Sequence, residues 1–280
     1  MREMYLYYPE LTNTNDPYLT LPKPMCHRLT TVLRIKPDTP VVFTNGEGLR
    51  QRALIRFATS NSATSTPPLS QTAAPNTSRL KRPNSKKTNT PSTLFAERIG
   101  SPQMITAPPL IIHYGLALIK GERFEWALQK MTELGVTHIT PLITERSEVK
   151  LSGTRLEKKT SPWHHELIAA LEQSQRDHLP HLFPPTPYET WLQTVTQQCD
   201  QRWILNPHDT RKHDDFSMNT RPSTLAIASG PEGGFSDHEV ETAMTSGFDA
   251  LQLGPRILRA ETAPLVAITL AQWHWGDYQY

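Results

Sequence analysis

The chain has 280 residues, 29 Lys+Arg against 27 Asp+Glu, a formal net charge of +2 and 37% hydrophobic residues. That length suits two domains, and the balance is that of a soluble globular protein rather than a fibrous or disordered one. The most apolar run, Leu110 to Ile119, is ten residues long and too short to span a bilayer, the start MREMYLYYPELTNTNDP has no apolar core for a secretory signal, and only Cys26 and Cys199 occur, so neither a disulfide framework nor a zinc site is indicated. A cytoplasmic protein with no membrane segment and no metal is expected.

The front of the chain reads as strands. Thr31 to Ile35, Pro40 to Phe43 and Arg50 to Phe57 are rich in β-branched and aromatic residues, with a turn at Asn45-Gly46-Glu47-Gly48. From Ala58 to Thr93, 20 of 36 residues are Ser, Thr or Pro and none is aromatic or acidic. Such a segment cannot bury enough apolar area to offset its ordering entropy, so residues 58–93 read as a disordered insertion. Leu94 to Ile99 resumes the sheet. Residues 1–108 are therefore expected to form a small all-β, barrel-like domain. Charge is uneven along the chain: residues 1–93 carry 13 Lys+Arg against 5 Asp+Glu, whereas 94–280 carry 16 against 22. Arg28, Arg34, Arg50, Arg52 and Arg56 in the front suit an RNA-binding face, and a solvated strand face is the alternative.

From residue 109 strands and helices alternate. Leu110 to Ile119 is a buried strand. Arg123 to Leu134 is a helix with Phe124, Ala127, Leu128, Met131 and Leu134 on one face, ended by Gly135. Val136 to Leu142 is a strand closed by Pro141. Ser161-Pro162 reads as an N-cap with proline at the first helical position, before a helix carrying Trp163, Leu167, Ala170 and Leu171 inward. Arg202 to Leu205, Thr224 to Ala228 and Ala250 to Leu253 are further strands. This alternation predicts an α/β domain with a mostly parallel sheet, whose ligands bind beyond the strand C-termini. Trp273, Trp275, Tyr278 and Tyr280 make the end of the chain aromatic, which suits core packing or a dimer interface.

Two glycine turns fall at such strand ends: Gly230-Pro-Glu-Gly-Gly234 and Gly254-Pro255, the second followed by Arg256 and Arg259. Gly230, Gly233 and Gly234 permit positive φ and close approach of backbone to a ligand. Ser236 with Glu239 is a capping box that starts a helix at Asp237, and Gly247 suits its end. GPEGGF is neither a phosphate loop nor a GxGxxG fingerprint, so a ligand turn and a tight structural turn both remain open. His164-His165-Glu166 lacks the spacing of a zinc site. Lys130 and Glu133 suit an ordinary solvated pair, and Glu172-Gln-Ser-Gln-Arg176 is unusually polar for a helix end.

Taken in order, Gly230-Pro-Glu-Gly-Gly-Phe-Ser236, Leu253-Gly-Pro-Arg-Ile-Leu-Arg259 and Glu261-Thr-Ala263 resemble the ribosomal RNA small subunit methyltransferase E family, the 16S rRNA (uracil-N3) methyltransferases of the SPOUT class. Lys130-Met-Thr-Glu-Leu-Gly-Val136, Pro141, Glu145-Arg-Ser147, Trp163 and Glu172-Gln-Ser-x-Arg176 extend the likeness upstream, and His27, Val32-Leu-Arg34 and Gly46-x-Gly48 carry it into the front. The resemblance implies a PUA-like β-barrel in residues 1–108, then a SPOUT domain in 109–280 with a C-terminal trefoil knot. It implies S-adenosylmethionine (SAM) as cofactor, 16S rRNA in the assembled small subunit as substrate, and a homodimer.

The site residues expected on that likeness are of three kinds. Leu205, Gly230, Glu232, Gly233, Leu253, Gly254, Ile257 and Leu258 would surround the cofactor. Arg259 and Arg256 would stabilise charge developing on the uracil. Glu232 would hold the cofactor or act as a base, and both roles stay open. Arg28, Arg34, Lys130, Arg146 and Arg176 would contact RNA. Ala260 stands where the family usually has Thr, and Ala169 where many members have Glu. A non-catalytic RNA-binding protein on the same fold, or a methyltransferase for a different RNA, is the alternative.

Overall fold

The computed structural model describes residues 3–14, 16–57, 94–148, 154–207 and 221–278. The expected disordered insertion, 58–93, lies outside the described residues, as does Tyr280. The chain falls into two compact units. Met1–Met4, Asn13–Phe43 and Gln51–Gln103 form the first; Tyr5–Thr12, Thr44–Arg50 and Met104–Tyr280 form the second. The sequence reading places one cut after residue 108, whereas two early segments count with the larger unit.

Five front strands, β1 (Met4–Tyr7), β2 (Tyr18–Thr20), β3 (Pro40–Thr44), β4 (Leu49–Phe57) and β5 (Leu94–Met104), form a sheet in the order β1-β3-β4-β5-β2. Alternate residues of β4, Leu49, Gln51, Ala53 and Ile55, are buried, as a half-buried strand requires. The turn at Asn45–Gly48 forms as expected: the Asn45 side chain accepts from the Glu47 and Leu49 amides at 2.8 and 3.0 Å.

The strand expected at Thr31 to Ile35 is not there. A short helix, α1 (Lys23–His27), continues into one π-helical turn, Arg28–Val32. The alternation that a strand needs is absent, because Thr30, Thr31 and Val32 are exposed in succession after the buried Leu29. Pro24 near the helix start is pre-set for helical φ, and the Thr30 hydroxyl bonds back to the Cys26 carbonyl at 2.8 Å.

In the second unit, β6 (Ile111–Ala117) is followed by α2 (Glu122–Glu133), β7 (His138–Ile143), α3 (Thr154–Ser174), β8 (His181–Leu182), β9 (Thr186–Pro187), α4 (Tyr188–Gln198), β10 (Gln201–Leu205), β11 (Thr224–Ser229), α5 (Asp237–Thr245), β12 (Asp249–Leu251) and α6 (Thr262–His274). The strands make a seven-stranded sheet in the order β12-β10-β11-β6-β7-β8, with β9 also on β7. Every pairing in it is parallel. Two sequence-based boundaries move. Strand β7 runs through Pro141 instead of closing there, and α3 starts at Thr154 with Pro162 inside it, so Ser161 is not its N-cap.

The amphipathic reading of α2 holds. Phe124, Ala127, Leu128 and Met131 are buried against Ile112, Tyr114 and Leu116 of β6, and Trp163 and Leu167 of α3 join the same core. Burying each large side chain there contributes about 1.5–3 kcal/mol, and Leu128→Ala would cost roughly 2–5 kcal/mol. From α6, Ala267, Ile268, Ala271 and Trp275 enter this core, while Trp273 stays exposed. The Gln272 amide donates to the Leu134 and Gly135 carbonyls at 3.2 and 3.3 Å, tying α6 to the end of α2.

Candidate active site

Strands β12, β10, β11 and β6 are neighbours and parallel, so their C-terminal ends lie side by side. The chain runs from β6 outward to β7 and β8 on one side, then returns through β10 on the other. A parallel sheet binds ligands at such a reversal, because the loops leaving adjacent strands part there and open a crevice. A cavity of about 560 Å³ lies beside it, at the C-terminal ends of β11, β10 and β12. Its walls are Asn206 and Pro207 after β10, the Gly230–Gly234 turn after β11, and the Leu253–Ala260 segment after β12.

Two of the three glycines are required, each for a different reason. A Cβ on Gly230 would meet the Phe235 amide nitrogen at 2.9 Å, so this position needs hydrogen for room. Gly234, at φ +68°, needs the left-handed region and closes the turn by donating to the Pro231 carbonyl at 2.8 Å. Gly233 has ordinary φ and ordinary space, so the expectation of positive φ at all three positions is corrected.

The turn is held from outside. Ser236 Oγ accepts from the Glu239 amide at 3.1 Å and Glu239 Oε2 accepts from the Ser236 amide at 2.8 Å, completing the capping box. The other Glu239 oxygen accepts from the Glu145 amide at 2.9 Å, which binds the turn to the loop after β7. From that loop Arg146 donates to the Gly233 and Phe235 carbonyls at 3.0 and 3.1 Å.

Every residue expected at the cofactor or the chemistry lies on this cavity. Leu205, Gly230, Glu232 and Gly233 come from the first two strand ends. Leu253, Gly254, Arg256, Ile257, Leu258 and Arg259 come from the third, and Ala260 lines it too. Arg256 and Ile257 are exposed, and the Arg259 side chain is 79% exposed. Glu232 Oε1 accepts from the Lys120 amide at 3.2 Å and lies 3.8 Å from Arg123 Nη1, so this carboxylate already has one donor and a nearby cation.

Several lining residues carry no role in the sequence reading, among them three that are polar or charged. Arg123 enters from the start of α2, Ser229 from the last position of β11, and Glu261 from the N-cap position of α6. The signal for Glu261 was its place just beyond Arg259. Only the fold shows that its carboxylate is buried.

The residues expected to touch RNA are dispersed. Arg28 is half-buried and Arg34 is exposed at φ +47° in the first unit. In the same unit Arg52 pairs with Glu3, and Arg56 with Asp38 and Glu97. Arg50 pairs with Asp177 within the second unit. Much of the basic character expected of the front is thus balanced by carboxylates. Lys130 pairs with Glu133 at 2.8 Å. Arg176 donates to the Thr132 and Val136 carbonyls at 2.5 and 3.1 Å, and burial pulls its pKa down to about 10. Val136 leads into β7, so Arg176 serves the edge of the sheet opposite the cavity.

The RNA methyltransferase domain model matches residues 106–272, which contain the whole cavity. A Buchnera aphidicola ribosomal RNA small subunit methyltransferase E is 35% identical over 172 residues, 60% of this chain and 68% of that protein. The chain belongs to the ribosomal RNA small subunit methyltransferase E family. The Synechocystis member is 36% identical over 57% of this chain and 52% of its own length. Among solved structures, a Legionella pneumophila protein described as a methyltransferase, in complex with SAM, superposes with TM-score 0.79 at 30% identity. It covers 99% of this chain and 100% of its own. The Neisseria gonorrhoeae ribosomal RNA small subunit methyltransferase E bound to SAM gives TM-score 0.76 at 28% identity over the same shares. Among the described residues no group of three or more His, Cys, Asp or Glu is placed to hold a metal, and no helix is long and apolar enough to cross a membrane.

Proposed function

We propose that this chain transfers a methyl group from SAM to N3 of one uridine in 16S rRNA, with the assembled small ribosomal subunit as substrate. The observation that carries this reading is the cavity at three adjacent strand ends, walled by glycine turns and rimmed by Arg256 and Arg259. Its volume of about 560 Å³ falls in the range of small-molecule sites. Leu205, Leu251, Leu253 and Leu258 offer apolar surface for an adenosine, and the backbone around Gly230, Gly233 and Gly254 offers hydrogen bonds at close approach. The relatives solved with SAM support the same guest.

When bound, SAM supplies a methyl group on a positively charged sulfur. The C–S bond breaks as the C–N3 bond forms, the N3 proton leaves, and S-adenosylhomocysteine departs. The chain's work is alignment and charge: it holds donor and base in line at near-attack distance. As the N3 proton leaves, negative charge spreads over the two flanking uracil carbonyls. Arg256 and Arg259 are exposed enough to reach an RNA base and carry the opposite charge. Glu232 braces the glycine turn through Lys120 and Arg123.

The remaining parts of the reading follow the family resemblance. The front sheet belongs to a PUA-like barrel that meets RNA through Arg28 and Arg34, the segments from β11 to α6 form a trefoil knot, two copies associate, and the enzyme works in the cytoplasm. Mass spectrometry of 16S rRNA tests the activity. A strain lacking this gene is expected to lose one N3-methyluridine and regain it on complementation. Retention of every N3-methyluridine in the deletion strain would refute the assignment.

A further inference from the structure

Five buried side-chain polar atoms have no close hydrogen-bond partner among the described residues; of the two on residues lining this cavity, Ser229 Oγ neighbours the buried Tyr114 hydroxyl, whereas Glu261 Oε2 has no donor. Ser229 is 2% and Glu261 9% exposed. A buried acceptor without a donor is costly, and a carboxylate more so, so such a group persists where a ligand completes it.

Glu261 occupies the N-cap position of α6, where an acid ordinarily caps the helix, yet its side chain accepts no capping bond. The first helix amides are satisfied otherwise, because Thr262 and Ala263 both donate to the Arg259 carbonyl at 2.9 and 3.0 Å. Its other oxygen, Oε1, lies 3.9 Å from Arg259 Nη1, beyond hydrogen-bond length, and that arginine is exposed. Glu232, the cavity's second carboxylate, contrasts with it: that one receives the Lys120 amide and is a third exposed. Among the described residues, one buried oxygen of Glu261, Oε2, is therefore left without a donor, and only the exposed Arg259 faces the other.

We infer that the Glu261 carboxylate is the counter-charge for the cationic methionine end of the cofactor. This rests on the SAM reading above. Two cations of that end fit, the ammonium and the sulfonium, and both present positive charge to an acceptor-only group. A carboxylate as buried as that of Glu261 interacts more strongly with such a charge than an exposed one, because water screens it less.

Calorimetry with three ligands tests the inference. SAM carries both cations, S-adenosylhomocysteine only the ammonium, and 5′-methylthioadenosine neither. Glu261→Gln is expected to weaken SAM by roughly 10- to 100-fold while leaving 5′-methylthioadenosine unchanged. Equal weakening of S-adenosylhomocysteine assigns the ammonium, and its sparing assigns the sulfonium. Glu261→Asp, which keeps the charge on a shorter arm, should recover part of the SAM affinity. Unchanged SAM affinity in Glu261→Gln overturns the inference, even where turnover falls, since the carboxylate would then act on the RNA side. Loss of 5′-methylthioadenosine by the same factor as SAM in both variants also overturns it, by showing general damage to the pocket. Failure of the wild-type chain to bind SAM refutes the cofactor reading itself.

Discussion

The two edges of the seven-stranded sheet use similar residues to opposite ends. At the edge where the strands begin, polar groups close on the protein itself. Arg176 spends its guanidinium on the Thr132 and Val136 carbonyls, and Lys130 pairs with Glu133. The Asp200 carboxylate accepts from the Ser223 and Thr224 amides at 2.9 and 3.0 Å. His113 and His138 stack on each other at 4.2 Å. At the edge where the strands end, Glu261 keeps one buried oxygen without a partner, and Arg256 and Arg259 reach into solvent. The first edge is closed on itself, while the second presents polar groups to a cavity. An arginine in a polar stretch is therefore ambiguous until the fold shows which edge it serves.

The contrast can be broken at either edge. The largest effect is expected from Arg259→Ala. Removing a cation aimed at developing charge should lower kcat for methyl transfer to small subunits by about 100-fold or more, with the melting temperature almost unchanged. Full activity in a single-turnover assay would remove Arg259 from the chemistry.

Arg176→Met should show the reverse. It leaves the carbonyls of two buried residues, Thr132 and Val136, without their donor, so a stability loss of roughly 2–3 kcal/mol is expected in urea unfolding, with SAM affinity held in the folded fraction. A weakened RNA complex with unchanged stability would return Arg176 to the RNA contacts that its sequence context suggested.

The smallest effect concerns the stacked histidines. Burial, and then the neighbouring imidazole of His138, pulls His113 from 6.5 to about 4; burial, then His181, lowers His138 as well. The unfolded chain therefore takes up these protons more readily than the folded one. The stabilisation is fully present above about pH 6.5 and is lost as pH falls through about 4. Wild-type protein should lose about 2 kcal/mol over that window. His113→Phe, which keeps a flat ring in the stack without a proton to gain, should flatten the melting curve against pH. An identical slope in the variant would assign the acid sensitivity elsewhere.

Much of the fold and of the site was legible because it depended on local chemistry. The apolar stripe of α2 announced a helix, and Ser236 with Glu239 placed the start of α5 at Asp237. The glycine turns and the two arginines beyond Gly254 lie on one cavity as expected. Errors came where local signals competed with packing. The β-branched run at Thr31 to Ile35 resembles a strand, but burying Leu29 in the front core holds it as a helical turn. Pro162 resembles a helix start, yet α3 begins at Thr154.

The sequence by itself determined which segments alternate and where backbone must turn sharply, because periodicity, capping pairs and glycine act over a few residues. Only the tertiary structure decided that three turns far apart in the chain share one cavity, since strand order is set by long-range pairing. The same long-range packing committed Arg176 to backbone carbonyls and buried one oxygen of the Glu261 carboxylate without a donor. Whether a charged side chain is satisfied depends on neighbours that only the folded chain brings within hydrogen-bond reach.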